Sequence, residues 1–373
     1  MVKGSGFKRY SVRLNVDNQT RKWLKIGTNI NVSQTRQVIN TSNGDLLSIA
    51  IRQSPDILVT NPDGSWGGPT SSQFQITNPV ALAAINDNRN KSLAAIGGIY
   101  ADVTLLKGLV FHTDVNGSYQ YTNNYSFNPS YKFNGFENTT TVSSRSSGNN
   151  YWWGFNARLQ YDNKIGEHAF SIMAAHEAQE YGSEGLDGLR RNFVTNNIQE
   201  LGQGDALTAT NNSSRSSGGR ESYFSRLNYT YNNKYIFQAT VRADGTSNFG
   251  PENRWGYFPA FSGAWRVSQE KFMQSAKAIT DMKLRVEYGI VGNSSAAGYF
   301  ARLYSVPTAW GTGYLSNNFS NPFLQWETVK TANLGLDLRL FKGRVELIAD
   351  FYQKKIEPKE FSIFRQEKIR CIK

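Results

Sequence analysis

The residues of this chain that could act chemically are few and widely separated. Its three histidines are His112, His168 and His176, and its one cysteine is Cys371. The stretch His176-Glu177-Ala178-Gln179-Glu180 begins like the HExxH motif of zinc proteases, but a glutamate stands where the second histidine ligand is required. The surrounding residues alternate as in a strand, which does not supply the one-turn helical spacing of that motif. The sequence therefore predicts no metal site here.

Two loop motifs resemble ligand-binding sequences but lack necessary parts. Asn61–Ser65 reads NPDGS and begins like a calcium loop, without the glutamate that an EF-hand requires; an Asp-Gly turn explains it. Gly64–Pro69 is rich in glycine, but no lysine follows and no helix begins, so a phosphate-binding loop is not predicted. There is no GxSxG motif, and a single cysteine cannot form an internal disulfide. We predict no catalytic residues, no metal and no cofactor.

Three aromatic residues in loop-like segments are candidates for ligand contact: Trp66, Trp310 and Tyr314. Exposed aromatic rings stack on sugar rings or peptide side chains, because they offer a large rigid surface at low entropy cost. The alternative is that these rings pack one loop against another. The sequence leaves both open.

The net charge of +12 comes from 41 Lys+Arg against 29 Asp+Glu. Four of these net charges lie in residues 353–373, and the rest are spread thinly, so we predict no dense basic patch. Without Arg and aromatic residues interleaved in a groove, a nucleic-acid partner is not predicted. No run approaches the roughly 18 apolar residues that a membrane-spanning helix requires.

Alternation of apolar and polar residues with a period of two recurs along the chain and predicts β-strands. The clearest example is Tyr223–Gly245, where two alternating runs flank the turn-like Asn232-Asn233-Lys234. We expect about a dozen antiparallel strands of roughly 9–14 residues, and about 9–11 suffice to cross a bilayer. Further alternating runs are Tyr10–Val16, Leu24–Val32, Phe111–Tyr121, Tyr151–Tyr161, Leu334–Leu340 and Val345–Phe351.

The predicted connections are of two kinds. Short polar turns are expected at Asp162–Lys164, Asn232–Lys234 and Phe341–Gly343, and a short helical segment at Pro79–Asn86. Long segments rich in Gly, Ser, Asn and Pro are expected near residues 40–90, 123–150, 182–220 and 292–328. Short turns at one end and long loops at the other are typical of an outer-membrane barrel. A soluble β-sandwich or propeller is the alternative, with shorter strands and loops of similar length at both ends.

On the barrel interpretation, the apolar face of each strand meets lipid and the polar face lines the lumen. Arg158, Arg226, Arg242 and Asp244 are then predicted to face the lumen, where they contact a plug or line the solute path. Simple hydration of the lumen wall is the alternative role. We also expect His176 to face the barrel interior. Tyr and Trp at strand ends (Tyr121, Tyr151, Trp153, Tyr161, Tyr229, Tyr231, Tyr235) are predicted to form interfacial girdles.

Four stretches together resemble the SusC/RagA-type TonB-linked outer-membrane proteins of Bacteroidetes. The central stretches are RADGTSNFGPENRWGYFPAFSGAWRVSQEKFM at 242–273 and MKLRVEYGIVGN at 282–293. NPFLQWETVKTANLGLDLRLFKGRVELIADFYQKK at 321–355 is similar to a later stretch of the same barrel, and VKGSGFKRYSVRLNVDNQTRKWLKIGTNINVS at 2–33 to an earlier hairpin. The resemblance extends from Val2 to about Lys355.

This resemblance implies an all-β fold, an antiparallel up-and-down transmembrane barrel of about 22 strands with a plugged lumen. It implies import of oligosaccharides or peptides across the bacterial outer membrane, with a SusD-like surface lipoprotein as partner and energy from the TonB complex. Lipid would surround the barrel, and the family is not enzymatic. The alternative is a stand-alone carbohydrate-binding β-protein that uses Trp66 and Trp310 as stacking platforms.

The resemblance also predicts the division of the chain. Residues 1–355 would form part of the barrel, without signal peptide or plug, and residues 356–373 (IEPKEFSIFRQEKIRCIK) a C-terminal tail that loses the alternation. We therefore expect a fragment of a longer transporter, with TonB contacted through the missing N-terminal region. Because open sheet edges leave backbone groups unpaired in lipid, the isolated chain is expected to aggregate and not to transport.

Overall fold

Twelve long strands dominate the computed structural model, which describes residues 4–39, 43–69, 77–295, 300–316 and 318–357. Among the described residues, no helix is long and apolar enough to cross a membrane. The helices and strands are β1 (Gly6–Arg21), β2 (Leu24–Val38), α1 (Asn43–Arg52), α2 (Pro79–Ile85), β3 (Asp87–Leu106), β4 (Leu109–Asn128), β5 (Tyr131–Phe133), β6 (Phe136–Asn138), β7 (Val142–Ile165), β8 (His168–Arg191), β9 (Thr210–Tyr231), β10 (Tyr235–Thr246), β11 (Trp255–Arg266), β12 (Ile279–Asn293), β13 (Leu303–Thr308), β14 (Gly311–Ser316), β15 (Glu327–Leu340) and β16 (Val345–Glu357).

The long strands form one antiparallel sheet in chain order, β1-β2-β3-β4-β7-β8-β9-β10-β11-β12-β15-β16. The small pairs β5-β6 and β13-β14 lie within two of the long connections. Each long strand runs opposite to the one before it, so the connections alternate between the two ends of the sheet. The connections at one end are short turns except for residues 267–278 between β11 and β12, and the longest loops lie at the other end. This up-and-down sheet confirms the prediction of about a dozen strands. Strands β1 and β16 are the two ends of the sheet within the described residues.

The predicted strand length is too short for most of the long strands, and three of the predicted connections are wrong. The segment predicted as a loop at 182–220 is strand at both ends, since β8 extends to Arg191 and β9 begins at Thr210. Strands β7 and β8 have 24 residues each, and the Ser/Asn/Gly-rich residues 142–150 belong to β7 rather than to a loop. Asp162–Lys164 also lies within β7, and the turn follows at Gly166, whose φ is +57°. At about 3.3 Å per residue such a strand is roughly 80 Å long, far more than the roughly 30 Å of bilayer hydrocarbon. Pairing with long neighbours extends these strands where side-chain alternation is absent.

Two local predictions are confirmed in detail. Asn232 and Asn233 both have positive φ (50° and 54°), the conformation that a tight turn between twisted strands requires and that asparagine tolerates. Helix α2 begins with a proline in its first turn, and the Asn78 carboxamide oxygen accepts hydrogen bonds from the N–H groups of Val80 and Ala81 at 3.0 and 3.1 Å. Both side chains satisfy local backbone requirements.

One face of the sheet is a continuous apolar belt open to its surroundings. Residues directly opposite each other across a ladder share a face, so the strand register assigns every side chain. Val12 is 74% exposed and Val286 60% exposed, which a β-sandwich would avoid by covering them with a second sheet. No second sheet covers this face in the described part of the chain. The belt includes Leu14, Val32, Ile99, Val115, Leu159, Ile172, Val241, Phe261, Leu334, Leu347 and Phe351.

Aromatic residues border this belt at both ends. Seven predicted girdle residues lie on the apolar face by register, at either the short-turn or the long-loop side of the belt. At the long-loop side they are joined by Tyr10, Tyr119 and Trp255, and at the short-turn side by Trp265. Amphipathic rings at these two levels are the arrangement that a water–lipid interface favours.

The buried core lies at the long-loop end rather than between sheets. Phe127, at the end of β4, is completely buried and meets Phe193 edge-on at 5.6 Å between ring centroids. A second cluster places Phe249 and Phe258 against Trp326, with centroid distances of 5.5 and 5.2 Å. The indole N–H of Trp326 donates to the Arg254 carbonyl at 3.1 Å. The loops are therefore packed structures held by aromatic side chains.

At the short-turn end, Glu270 connects two neighbouring turns. Its carboxylate accepts hydrogen bonds from the Tyr235 hydroxyl (2.8 Å) and the Trp265 indole N–H (3.2 Å), and its second oxygen lies 3.2 Å from Lys234 Nζ. The hydrogen bonds from Tyr235, Trp265 and Lys234 hold the pKa of Glu270 below its usual range, and the bond from Tyr235 has the largest effect. The carboxylate thus ties the β9–β10 turn to the segment that follows β11.

We predict that Glu270→Gln lowers the thermal unfolding temperature at neutral pH. A carboxylate whose folded pKa is depressed stabilises the protein above its unfolded pKa, and that contribution is lost as the pH falls through the folded value. Wild type should therefore lose its advantage over the variant on acidification below about pH 4. Thermal unfolding of both proteins at several pH values tests this, with the exposed Glu252→Gln as control. An unchanged difference at all pH values would contradict the ionic role.

Candidate functional site

The face opposite the belt carries the four residues predicted to face a lumen. Arg158 lies opposite Ala175, which lies opposite Phe224, which lies opposite Arg242, so both arginines occupy one row across four strands. Arg226 lies opposite Thr240, and Asp244 opposite Ser222, on the same face. The register therefore brings all four side chains to one polar face, and its identity as a lumen wall stays a prediction.

His176 does not share that face. It lies opposite Ala157 and Tyr223, in the rows next to those of Arg158, so the predicted placement of His176 with the polar residues is wrong. Its Nε2 atom lies 3.1 Å from Glu221 Oε1, and its ring stacks on Tyr223 with a centroid distance of 4.5 Å. His176 and the apolar Ile172 are four residues apart in one strand and therefore share a face. That spacing could have placed His176 on the belt face, but the polar imidazole suggested the other face.

Arg242 is the centre of a network on the polar face. Its Nε–H donates to Asp244 Oδ1 at 2.6 Å, and its Nη2 lies 3.0 Å from Ser222 Oγ and 3.3 Å from Glu177 Oε2. The guanidinium also lies over the Phe224 ring, 4.8 Å from its centroid. A planar guanidinium can engage two carboxylates and a ring face together, and a lysine cannot. The network links β8, β9 and β10 across their polar face.

Arg158 and Arg226 differ from Arg242. Within the described residues, neither guanidinium has an ion-pair partner, and Arg226 is exposed. These two cations are available to acidic groups from outside this chain.

A second polar cluster surrounds His112 on β4. Its Nδ1 lies 2.6 Å from Asp102 Oδ1 and its Nε2 lies 3.0 Å from Asp114 Oδ2. The imidazole thus lies between two carboxylates, one on each side of the ring. Asn116 donates to Asp114, and the Tyr100 ring stacks on His112 at 5.9 Å. The sequence identified the histidine but not these partners, which lie on neighbouring strands or two residues away.

A third cluster joins the last strands of the sheet. Arg285 Nη2 lies 2.9 Å from Asp337 Oδ1 and 3.1 Å from Asp350 Oδ1, and Lys283 Nζ lies 2.7 Å from Asp337 Oδ2. Asn333 donates to Asp350 at 3.0 Å. Neither the arginine nor these carboxylates stood out in the sequence, because the register alone brings β12, β15 and β16 together here.

Between the first two clusters the polar face contains a shallow cavity of about 390 Å³. Its lining combines apolar residues such as Ile96 and Phe155 with carboxylates, amides and one indole, and the polar groups suit the hydroxyl and amide groups of sugars or peptides. Asn156 Oδ1 is buried in this region without a hydrogen-bond partner among the described residues, and such an atom is costly unless a ligand or water satisfies it. The lining includes Asn29, Asp114, Asn116, Trp152, Asn156, Glu177 and Gln179.

The three loop aromatics occupy two different places. Trp66 is half-buried and pairs through its backbone with Thr60, so it takes part in a compact loop. Trp310 lies at the tip of the β13–β14 hairpin and is 96% exposed, and Tyr314 on the same hairpin is 67% exposed. The two hairpin rings are free for contact, and ligand contact by any of the three stays a prediction.

Within the ranges that the structure describes, no group of three or more His, Cys, Asp or Glu side chains could hold a metal ion. The two glutamates of the HExxH-like stretch, for example, lie on opposite faces of β8. Glu177 lies on the polar face with Arg242, and Glu180 follows on the apolar side of β8, opposite Trp153. Cys371 lies outside the described residues.

Residues 8–358 match the family described as TonB dependent receptor-like, beta-barrel, and the chain belongs to this family. TonB-dependent receptor P3 of Formosa agariphila is 33% identical over 380 residues, which cover 96% of this chain and 37% of that protein. TonB-dependent receptor SusC of Bacteroides thetaiotaomicron is 30% identical over 323 residues, 80% of this chain and 30% of that protein. The chain thus spans well under half the length of these relatives. The predicted family resemblance is confirmed.

Solved structures agree on the fold. The RagAB peptide transporter superposes with a TM-score of 0.77 at 22% identity, covering 94% of this chain and 40% of the matched chain. A structure of FpvA from Pseudomonas aeruginosa bound to pyoverdine superposes more loosely, with a TM-score of 0.51 at 8% identity. The sheet therefore has the fold of a TonB-dependent receptor barrel, and the prediction of an all-β barrel wall is confirmed.

Proposed function

We propose that this chain forms part of the wall of a bacterial outer-membrane transporter that imports oligosaccharides or peptides. The observation that carries this proposal is the division of one sheet into an exposed apolar belt and a polar face crossed by ion-pair networks. The belt would contact lipid, and Arg158, Arg226, Arg242 and Asp244 would line the lumen. The barrel wall would extend from the start of the chain slightly beyond the expected boundary at Lys355, because Ile356 and Glu357 still pair with β15. The tail expected at residues 356–373 would then begin after Glu357.

The partners follow from the same proposal. A plug would supply the acidic groups for the unpaired Arg158 and Arg226, and the TonB complex would energise transport. The similarity to SusC and to RagAB favours a SusD-like surface lipoprotein as the extracellular partner. The exposed Trp310 and Tyr314 on the long-loop side would contact that partner or the solute, and Trp66 would support its loop. Because RagAB is a peptide transporter, peptides are the first substrate class to test.

Uptake by living cells tests the transport function. Cells lacking the gene should lose import of labelled peptides or oligosaccharides, and re-expression of the natural protein should restore it. Removal of TonB should abolish the same import, since no energy source exists in the outer membrane itself. Unchanged import of every tested peptide and oligosaccharide after deletion would contradict the proposal.

We predict that Trp152→Ala weakens solute uptake by about threefold to tenfold, because the ring offers a stacking surface in the polar-face cavity. The matched control is Trp153→Ala, since Trp153 is the next residue of β7 and lies on the opposite face. Half-saturation concentrations for uptake, at equal amounts of protein in the outer membrane, measure the effect. Equal losses in both variants would contradict a specific role for the polar face.

A further inference from the structure

Three basic residues form a row on the belt face that the sequence did not reveal. Lys8 of β1 lies directly opposite Arg36 of β2, and Arg36 lies directly opposite Lys91 of β3. All three side chains are exposed. Like charges directly opposite each other on adjacent strands are destabilising, and a bound anion would relieve this repulsion.

No carboxylate of the described residues forms an ion pair with any of these three cations. The arrangement differs one row further from the belt, where Arg89 pairs with Asp87 at 2.5 Å and Arg145 with Glu200 at 3.2 Å. The neighbouring arginines thus have counter-ions within the chain, and the row itself does not. An anion that binds this row therefore comes from outside the described residues.

The position of the row along the strands, relative to the aromatic girdle, indicates where such an anion would come from. The row next to it towards the belt is Tyr10, Gln34, Leu93 and Tyr121, which includes two aromatics of the long-loop girdle. Side chains just beyond an aromatic girdle lie at the level of lipid headgroups. Because the three cations share the belt face, they point to where lipid would lie and away from the lumen.

A cavity of about 460 Å³ extends the basic surface beside Lys91. Its lining includes Arg89, Lys91, Tyr125 and Arg145, and the Arg145 guanidinium lies 3.6 Å from the centroid of the Tyr125 ring. This stacking holds one cation in place next to the row. Glu200 also lines this cavity and pairs with Arg145, so the positive charge without a counter-ion here is that of the row itself.

We propose that Lys8, Arg36 and Lys91 bind the phosphate group of an anionic lipid in the outer leaflet of the membrane. The proposal rests on the outer-membrane orientation proposed above, in which the long loops are extracellular. The bound phosphate neutralises the repulsion within the row and fixes the depth of β1–β3 in the bilayer. Each basic residue near a charged membrane surface contributes about a fivefold gain in affinity, so the row as a whole contributes on the order of a hundredfold.

The test uses the protein in the form in which the cell makes it, purified in a neutral detergent. It is incubated with micelles containing phosphatidylglycerol, with phosphatidylcholine micelles, or with inorganic phosphate alone, and retained ligand is counted by native mass spectrometry. The variants are Lys8→Gln, Arg36→Gln and Lys91→Gln, singly and combined. The matched control is Arg9→Gln, the next residue of β1, which lies opposite Thr35 on the polar face.

Wild type and the Arg9 variant are expected to retain phosphatidylglycerol, and the triple variant to retain on the order of a hundredfold less. Single variants show intermediate losses, and a Lys8→Arg, Lys91→Arg protein retains the lipid, which guards against misfolding as the cause. Equal retention by wild type and triple variant overturns the proposal. Retention of inorganic phosphate in place of the lipid overturns the lipid as source. Solute uptake by the same variants is a separate readout, so a failed transport function is distinguishable from a failed lipid site.

Discussion

Replacing Val241 by arginine is expected to destabilise the membrane-inserted protein by about 2–4 kcal/mol, the typical cost of arginine on the lipid face near the bilayer midplane. Val241 lies in the middle of β10 on the belt face and is 51% exposed. An exposed valine on a soluble protein would accept arginine at almost no cost. The size of the loss therefore reports whether lipid or water meets this face.

The control for Val241 is Gln238→Arg on the same strand. Gln238 lies opposite Asn228 and Ser262 on the polar face and is exposed, so arginine there should cost less than about 0.5 kcal/mol. Chemical denaturation from lipid vesicles gives both unfolding free energies. Equal small losses for the two variants would place water on both faces and contradict the barrel orientation.

The second large effect is expected in the loop core. Phe249→Ala should reduce the free energy of unfolding by about 3–5 kcal/mol, because truncation of a fully packed phenylalanine leaves a cavity. Phe249 is completely buried and packs edge-on against Trp326, whose indole N–H is bonded to the Arg254 carbonyl. Loss of this ring should also loosen the connection between β10 and β11.

Phe319→Ala serves as the matched control for Phe249→Ala. Phe319 lies in the long segment between β14 and β15 and is 92% exposed, so its truncation should change stability by less than about 0.5 kcal/mol. Thermal or denaturant unfolding monitored by tryptophan fluorescence compares the two. A small loss for Phe249 would show that the loops do not form a packed core.

Much of the fold could be predicted because strand alternation is a local property. The run Tyr235 to Asp244 shows both faces of β10 directly, and Asn232-Asn233 marks its turn. The ends of the strands could not be read in the same way. Residues 142–150 contain serine, asparagine and glycine without apolar alternation, and they join β7 because β4 and β8 continue beside them.

The polar networks depend on the pairing register of the strands, which no local stretch of the sequence reveals. Arg285 and Asp350 are 65 positions apart, and nothing local marks either as a partner of the other. The row of cations on the belt face was not predicted for the same reason. Lys8, Arg36 and Lys91 look like scattered charges along the chain, and two strand pairings assemble them into one row. His176 is a different case, because this polar residue lies on the same face of β8 as the apolar residues two and four positions away.

The central claim is that one face of this sheet meets lipid and the other lines an aqueous path. The most direct measurement attaches a spin label at each position from Phe237 to Val241, in the natural protein with Cys371→Ser, inserted in a bilayer. Accessibility to oxygen, which concentrates in lipid, should be high at 237, 239 and 241, and accessibility to a water-soluble nickel chelate should be high at 238 and 240. Uniform access to the nickel chelate along the strand, or the reverse alternation, would contradict the claim.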